Sequence, residues 1–138
     1  MQFLAFGCGY VATALAKRLA GRDIATLGTT RSVEGAADLA RQGITLVEWP
    51  GCDLDPPSGA AWLISVPPDD DGCPVFDAFG DKAASAGWIG YLSTTGVYGD
   101  RHGGWVTERS RVAAQSLEGA GRVCAARRWL VGRGRKGL

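Results

Sequence analysis

Phe6-Gly7-Cys8-Gly9-Tyr10-Val11-Ala12 decides the fold, because it joins an apolar strand to an amphipathic helix through a Gly-x-Gly-x-x-Ala turn. The preceding Phe3-Leu4-Ala5-Phe6 is a short apolar run, as expected of a central parallel strand covered on both faces. After the turn, Val11, Leu15 and Leu19 recur at helical spacing, with Lys17 and Arg18 in the last turn and Gly21 just past it. Gly7 permits backbone angles that a side chain forbids, Gly9 allows close approach to the main chain, and Ala12 lets the helix pack tightly on the strand. The free amides of Gly7, Cys8, Gly9, Tyr10, Val11 and Ala12 then suit the pyrophosphate of a dinucleotide. The plain alternative is an ordinary tight strand-to-helix turn.

The end of the second strand selects the dinucleotide. Ile24–Arg31 reads as that strand running into a turn. An Asp or Glu about 20 residues after the glycines would bind ribose hydroxyls and favour NAD, whereas an Arg there accommodates a 2′-phosphate. This chain has no acid at that point and offers Thr29, Thr30, Arg31 and Ser32, three hydroxyls and a guanidinium suited to phosphate. NADP is therefore expected in preference to NAD, the alternative being that Arg31 is a solvated loop charge.

The 138 residues, 46% hydrophobic and 21% charged, are enough for one core, and one domain is expected. A net charge of +1 supplies no general attraction to nucleic acid or anionic membrane. No apolar run approaches the ~18 residues of a membrane span, and the N-terminal segment lacks the pattern of a cleaved signal. A soluble, cytoplasmic protein is the expectation. Cys8, Cys52, Cys73 and Cys124 are scattered and accompany a single histidine, so neither a zinc site nor a disulfide framework is indicated; reduced, mostly buried thiols are expected.

Strands and helices alternate along the rest. Val33–Arg41 reads as a helix closed by Gly43, Ile44–Val47 as a third strand, residues 50–59 as a loop, and Ala61–Val66 as a fourth strand stopped by Pro67-Pro68. Ligands of open α/β sheets bind outside the carboxyl ends of the strands, which would bring Ser65, Val66 and Pro67 beside the cofactor; a simple strand stop is the alternative for the prolines. In Asp69-Asp70-Asp71-Gly72, Asp70 and Asp71 suit the start of a helix that Pro74 opens better than they suit a metal. That helix, about Val75–Ala86, turns Phe76, Phe79 and Ala83 toward the sheet, and Trp88–Ser93 follows as a fifth strand. Right-handed crossovers then give a doubly wound parallel α/β sheet in the order 3-2-1-4-5.

A second block, Tyr91-Leu92-Ser93-Thr94-Thr95-Gly96-Val97-Tyr98-Gly99-Asp100, ends the fifth strand in hydroxyls followed by Val-Tyr-Gly. With the N-terminal turn it resembles the extended and atypical short-chain dehydrogenase/reductases, particularly the NAD(P)-dependent epimerase/dehydratase-like branch, from Met1 to about Leu130. The resemblance implies a Rossmann-like NAD(P)-binding domain over residues 1–130 and a small-molecule substrate, a sugar nucleotide or a carbonyl compound. It implies a catalytic Ser/Thr four residues before the tyrosine of Val-Tyr-Gly, here Thr94, beside Ser93 and Thr95. On chemistry alone, a hydroxyl there can donate to a substrate carbonyl or satisfy nearby backbone.

The family's Tyr-x-x-x-Lys proton-transfer pair is missing: the tyrosines are Tyr10, Tyr91 and Tyr98, the lysines Lys17, Lys82 and Lys136. Aligning the helix that ends Cys124–Leu130 puts Glu118 in place of the Tyr and Arg122 in place of the Lys. These two read first as an i,i+4 ion pair of about 0.2–0.5 kcal/mol, the alternative being a set in which Arg122 holds the cofactor while Glu118 or Tyr98 handles the proton. His102 reads as a solvated loop residue and Trp105 as a surface ring. Residues 131–138 form a basic, Gly-rich tail where such relatives continue into a substrate domain, and a shortened product of a longer protein is the expectation. Three function classes stay open: an NADP-dependent oxidoreductase or epimerase-like enzyme, a non-catalytic NADP(H) sensor, and an interaction protein in which the glycine turn is purely structural.

Overall fold

Gln2–Phe6 forms the first strand, β1, at the centre of a five-stranded, wholly parallel sheet ordered β3-β2-β1-β4-β5. The computed structural model describes residues 1–32, 34, 36–69, 72–93 and 95–111. The remaining strands are β2 (Ala25–Thr30), β3 (Ile44–Glu48), β4 (Ala61–Ile64) and β5 (Trp88–Tyr91). Among the described residues, the helices are α1 (Tyr10–Ala20), α2 (Ala36–Ala40) and α3 (Pro74–Phe79), with single 3₁₀ turns at Lys82–Ser85 and Thr95–Tyr98. This is the doubly wound α/β architecture, and the strand order is the expected one.

Register is continuous across the sheet: Leu4 lies beside Leu27 on one side and Trp62 on the other, while Trp62 lies beside Ile89. Because alternate strand residues face opposite ways, β1 supplies two cores. Phe3 and Ala5 pack with Ala12, Ala16, Ile44 and Leu63 beneath α1. Leu4 and Phe6 face the other side, where the Phe6 ring meets Trp62 at 5.3 Å and Phe79 at 5.4 Å, and Trp49 meets Phe79 at 5.5 Å. Each large apolar side chain buried in this way contributes about 1.5–3 kcal/mol.

The expected face of α1 is rotated by one position. Ala12 and Ala16 are its buried residues, Leu15 and Leu19 flank the core, and Val11 is exposed. The tight glycine turn sets the helix directly over β1, so only methyl groups fit between them, and Val11, about 100° around the helix from Ala12, points outward.

Other boundaries are shorter than the sequence pattern suggests. Strand β2 is Ala25–Thr30, β4 stops at Ile64 and β5 at Tyr91. Helix α2 is a five-residue piece, and the expected single helix to Ala86 is α3 followed by the separate turn Lys82–Ser85. Pro74 opens α3 as expected, but Asp70 and Asp71, read as its caps, lie outside the described residues. The Asp69 carboxylate accepts the Gly72 amide at 3.0 Å instead.

The chain divides into two compact units. The first, Met1–Val66 with Phe79–Leu92, holds the whole sheet; the second comprises Pro67–Ala78 and the residues from Ser93 onward. Among the described residues, no helix is long and apolar enough to cross a membrane.

Candidate functional site

The first unit assembles a site at the carboxyl ends of β1, β2 and β4. Gly7 takes φ +85°, a conformation in which a β-carbon is strained, and leads the chain off β1. A β-carbon there would stand 2.9 Å from Cγ1 of Val66 and 3.1 Å from the Ser65 hydroxyl. The Ser65 amide donates to the Phe6 carbonyl at 2.8 Å, and its hydroxyl donates to the carbonyls of Phe6, at 3.2 Å, and Gly7. Ser65 thus fastens the end of β4 to the turn, and its proton is spent on backbone.

Gly9 differs. It is the N-cap of α1, and a β-carbon on it would meet nothing within 4 Å. No side chain caps the helix start and no acid stands in the first turn, whereas Lys17 and Arg18 occupy the last. Helix dipole and terminal amides therefore favour an anion at this end, and no carboxylate of the helix opposes one. Tyr10 and Val11 are exposed beside this opening, and Ala12 is buried under it.

The turn is also tied to β2. The Gly7 amide donates to the Thr29 hydroxyl at 2.9 Å, and the Cys8 amide donates to the Thr29 carbonyl at 2.7 Å. Thr29, read from sequence as a phosphate-facing hydroxyl, is instead 1% exposed. The alternation of strand side chains held the clue: Thr29 and Thr30 cannot face the same way. Cys8 points toward β2 as well, where a β-carbon on Gly28 would stand 3.0 Å from its Sγ, and the Thr13 hydroxyl donates to the Cys8 carbonyl at 3.1 Å. A glycine inside a strand, as Gly28 is in β2, is the sequence signal of such a close approach.

Arg31 follows the end of β2 and is exposed. Its neighbours form a local turn: the Thr30 hydroxyl donates to the Ser32 carbonyl at 2.8 Å, and the Ser32 hydroxyl accepts the Glu34 amide at 3.2 Å. The Thr30 proton is therefore spent within the loop, and the exposed Arg31 places a cation at this strand end.

Gly7 to Ala12, Thr30 to Ser32, Ser65 and Val66 thus lie in one unit, at or just beyond the carboxyl ends of its strands. Pro67 opens the second unit and is exposed. Tyr98 belongs to that second unit too, half-buried in the turn Thr95–Tyr98 whose Val97 is 1% exposed. Thr94, Glu118 and Arg122 lie outside the described residues, as do Cys124 and the tail 131–138.

His102 is exposed at φ +51°, with its amide donating to Asp100 Oδ1 at 2.7 Å and its ring nitrogen 3.5 Å from Oδ2. Trp105 is fully exposed. The thiols depart from the mostly buried set expected: Cys73 is buried, Cys8 half-buried and Cys52 exposed. Burial pushes the Cys73 thiol up from its ordinary value, against the opposing effect of the Phe76 and Val75 amides.

No protein family and no curated protein matches the chain. Among solved structures, it is similar to a conserved protein of unknown function from Silicibacter pomeroyi DSS. The two share 37% identity over 93% of this chain, with a TM-score of 0.81. The chain spans 47% of that protein's length.

Proposed function

We propose that this chain binds NADP(H) at the turn between β1 and α1, as the cofactor-binding part of an oxidoreductase or epimerase-like enzyme resembling the short-chain dehydrogenase/reductases. The observation that carries the reading is the contrast between the two glycines: Gly7 is packed against Val66, while Gly9 opens onto free space at the uncapped start of α1. That is the shape needed for a pyrophosphate to reach backbone amides. Arg31 at the end of β2 supplies the cation for a 2′-phosphate.

When bound, the nicotinamide would supply hydride transfer. The residues of this chain would position it: the amides at the start of α1 hold the diphosphate, and Arg31 selects the phosphorylated ribose. Thr94 would donate a hydrogen bond to the substrate oxygen, with Tyr98, Glu118 and Arg122 as candidates for moving the proton and holding the cofactor. The substrate expected from the resemblance is a carbonyl compound or a sugar nucleotide.

The missing Tyr-x-x-x-Lys pair supports a second reading, a sensor that binds NADP(H) without turning it over. Titration of the purified chain with NADPH and NADH by calorimetry, followed by a carbonyl and sugar-nucleotide panel, tests both. Tight NADPH binding with oxidation supports the enzyme, and binding without oxidation supports the sensor. Binding of neither nucleotide rejects the cofactor site and leaves the glycine turn purely structural.

A further inference from the structure

We propose that Thr29 is a positioning residue of the dinucleotide site, deciding which amides of the glycine turn are offered to the ligand. The inference rests on the NADP(H) reading above and adds a residue that touches no part of the cofactor.

The turn has two groups of amides with opposite fates. The Gly7 amide ends on the Thr29 side chain at 2.9 Å, and the Cys8 amide on the Thr29 main chain at 2.7 Å. Both bonds run inward to a residue 1% exposed, so neither amide is offered to an anion. Beyond Cys8, Gly9 accepts the first helical bond, from the Thr13 amide at 2.8 Å, and α1 begins with no side-chain cap. The amides from Gly9 to Ala12 are accordingly the ones left to receive a diphosphate.

Thr29 does this with one hydroxyl and one carbonyl on the strand next to β1. Its methyl group fills buried space and its oxygen fixes the Gly7 peptide plane, which sets the angle at which the chain enters α1. Valine has the same shape and lacks the acceptor, leaving a buried amide without a partner. Serine keeps the acceptor. Arg31 begins its work two residues further on, so one strand end both orients the turn and presents the phosphate-binding cation.

The test uses amide hydrogen exchange and NADPH calorimetry on the full chain. In the unliganded wild type, the Gly7 and Cys8 amides should exchange at least about 10-fold more slowly than those of Gly9, Tyr10 and Val11, and NADPH should then slow the second group. Thr29→Val should speed exchange at Gly7 and weaken NADPH at least about 10-fold, with Thr29→Ser close to wild type in both. Free exchange at Gly7 and Cys8 in the wild type overturns the proposal without reference to any variant. So does a Thr29→Val chain that binds NADPH as tightly as the wild type, or a Thr29→Ser chain as impaired as Thr29→Val. A wild type that binds neither NADPH nor NADH rejects the function itself, and the role of Thr29 with it, even where the exchange pattern holds.

Discussion

Gly7 and Val66 approach so closely that a β-carbon on the glycine would lie 2.9 Å from Cγ1 of the valine. The end of β1 and the segment after β4 are thereby packed into contact, and at φ +85° any side chain on Gly7 would be strained. Gly9, two residues on, has no neighbour within 4 Å of where a β-carbon would be. The same motif thus holds one glycine for packing and one for access.

Replacing each by alanine should separate the two roles. Gly7→Ala combines a left-handed backbone with a steric overlap and should cost about 2 kcal/mol or more, lowering Tm by at least about 4 °C. Gly9→Ala should cost about 1 kcal/mol or less, because its backbone is already in a region open to alanine. On the proposed NADP(H) reading it should nevertheless weaken NADPH at least about 10-fold, since its methyl group would enter the space proposed for the diphosphate. Thermal melts and calorimetry on the two variants check the contrast.

On the proposed NADP(H) reading, Arg31→Asp should weaken NADPH at least about 10-fold and change NADH by less than about 3-fold, because it would remove a charge-assisted contact to the 2′-phosphate and put a like charge in its place. Equal losses for both nucleotides would show that Arg31 acts on something common to them.

Gly28→Ala places a methyl 3.0 Å from both Cys8 Sγ and Leu46 Cδ2. It should destabilise the chain by about 1–3 kcal/mol. Cys8→Ala removes the sulfur and should recover part of that loss, so urea unfolding of the two single variants and the double variant should show a coupling of at least about 0.5 kcal/mol.

Cys73 and Cys52 should differ in reactivity. Near pH 8, iodoacetamide should modify exposed Cys52 quickly and buried Cys73 only on unfolding, as peptide mass spectrometry would report. Because burial raises the Cys73 thiol, the native chain holds that proton more tightly than the unfolded chain. Its contribution is full below the unfolded value of about 8.5 and is lost as pH rises from there through the folded value. Urea midpoints should therefore fall less steeply above about pH 8.5 in Cys73→Ala than in the wild type.

The sequence by itself determined the architecture and where the glycine turn falls in it. Phe3–Phe6, the glycine turn and the stripe of helix α1 announce a strand, a sharp bend and a helix through local rules alone, and alternation along the chain implies a parallel sheet in the order found. Tertiary structure decided what each side chain faces. It turned Val11 outward and Ala12 inward, because the helix lies too close to β1 for anything larger. It buried Thr29 beneath the turn, spent the protons of Ser65 and Thr30 on backbone carbonyls, and set Cys8 against Gly28. Those outcomes depend on register between strands distant in the sequence. A local pattern gives the direction of a side chain only relative to its own strand or helix, whereas its partners come from the elements packed beside it.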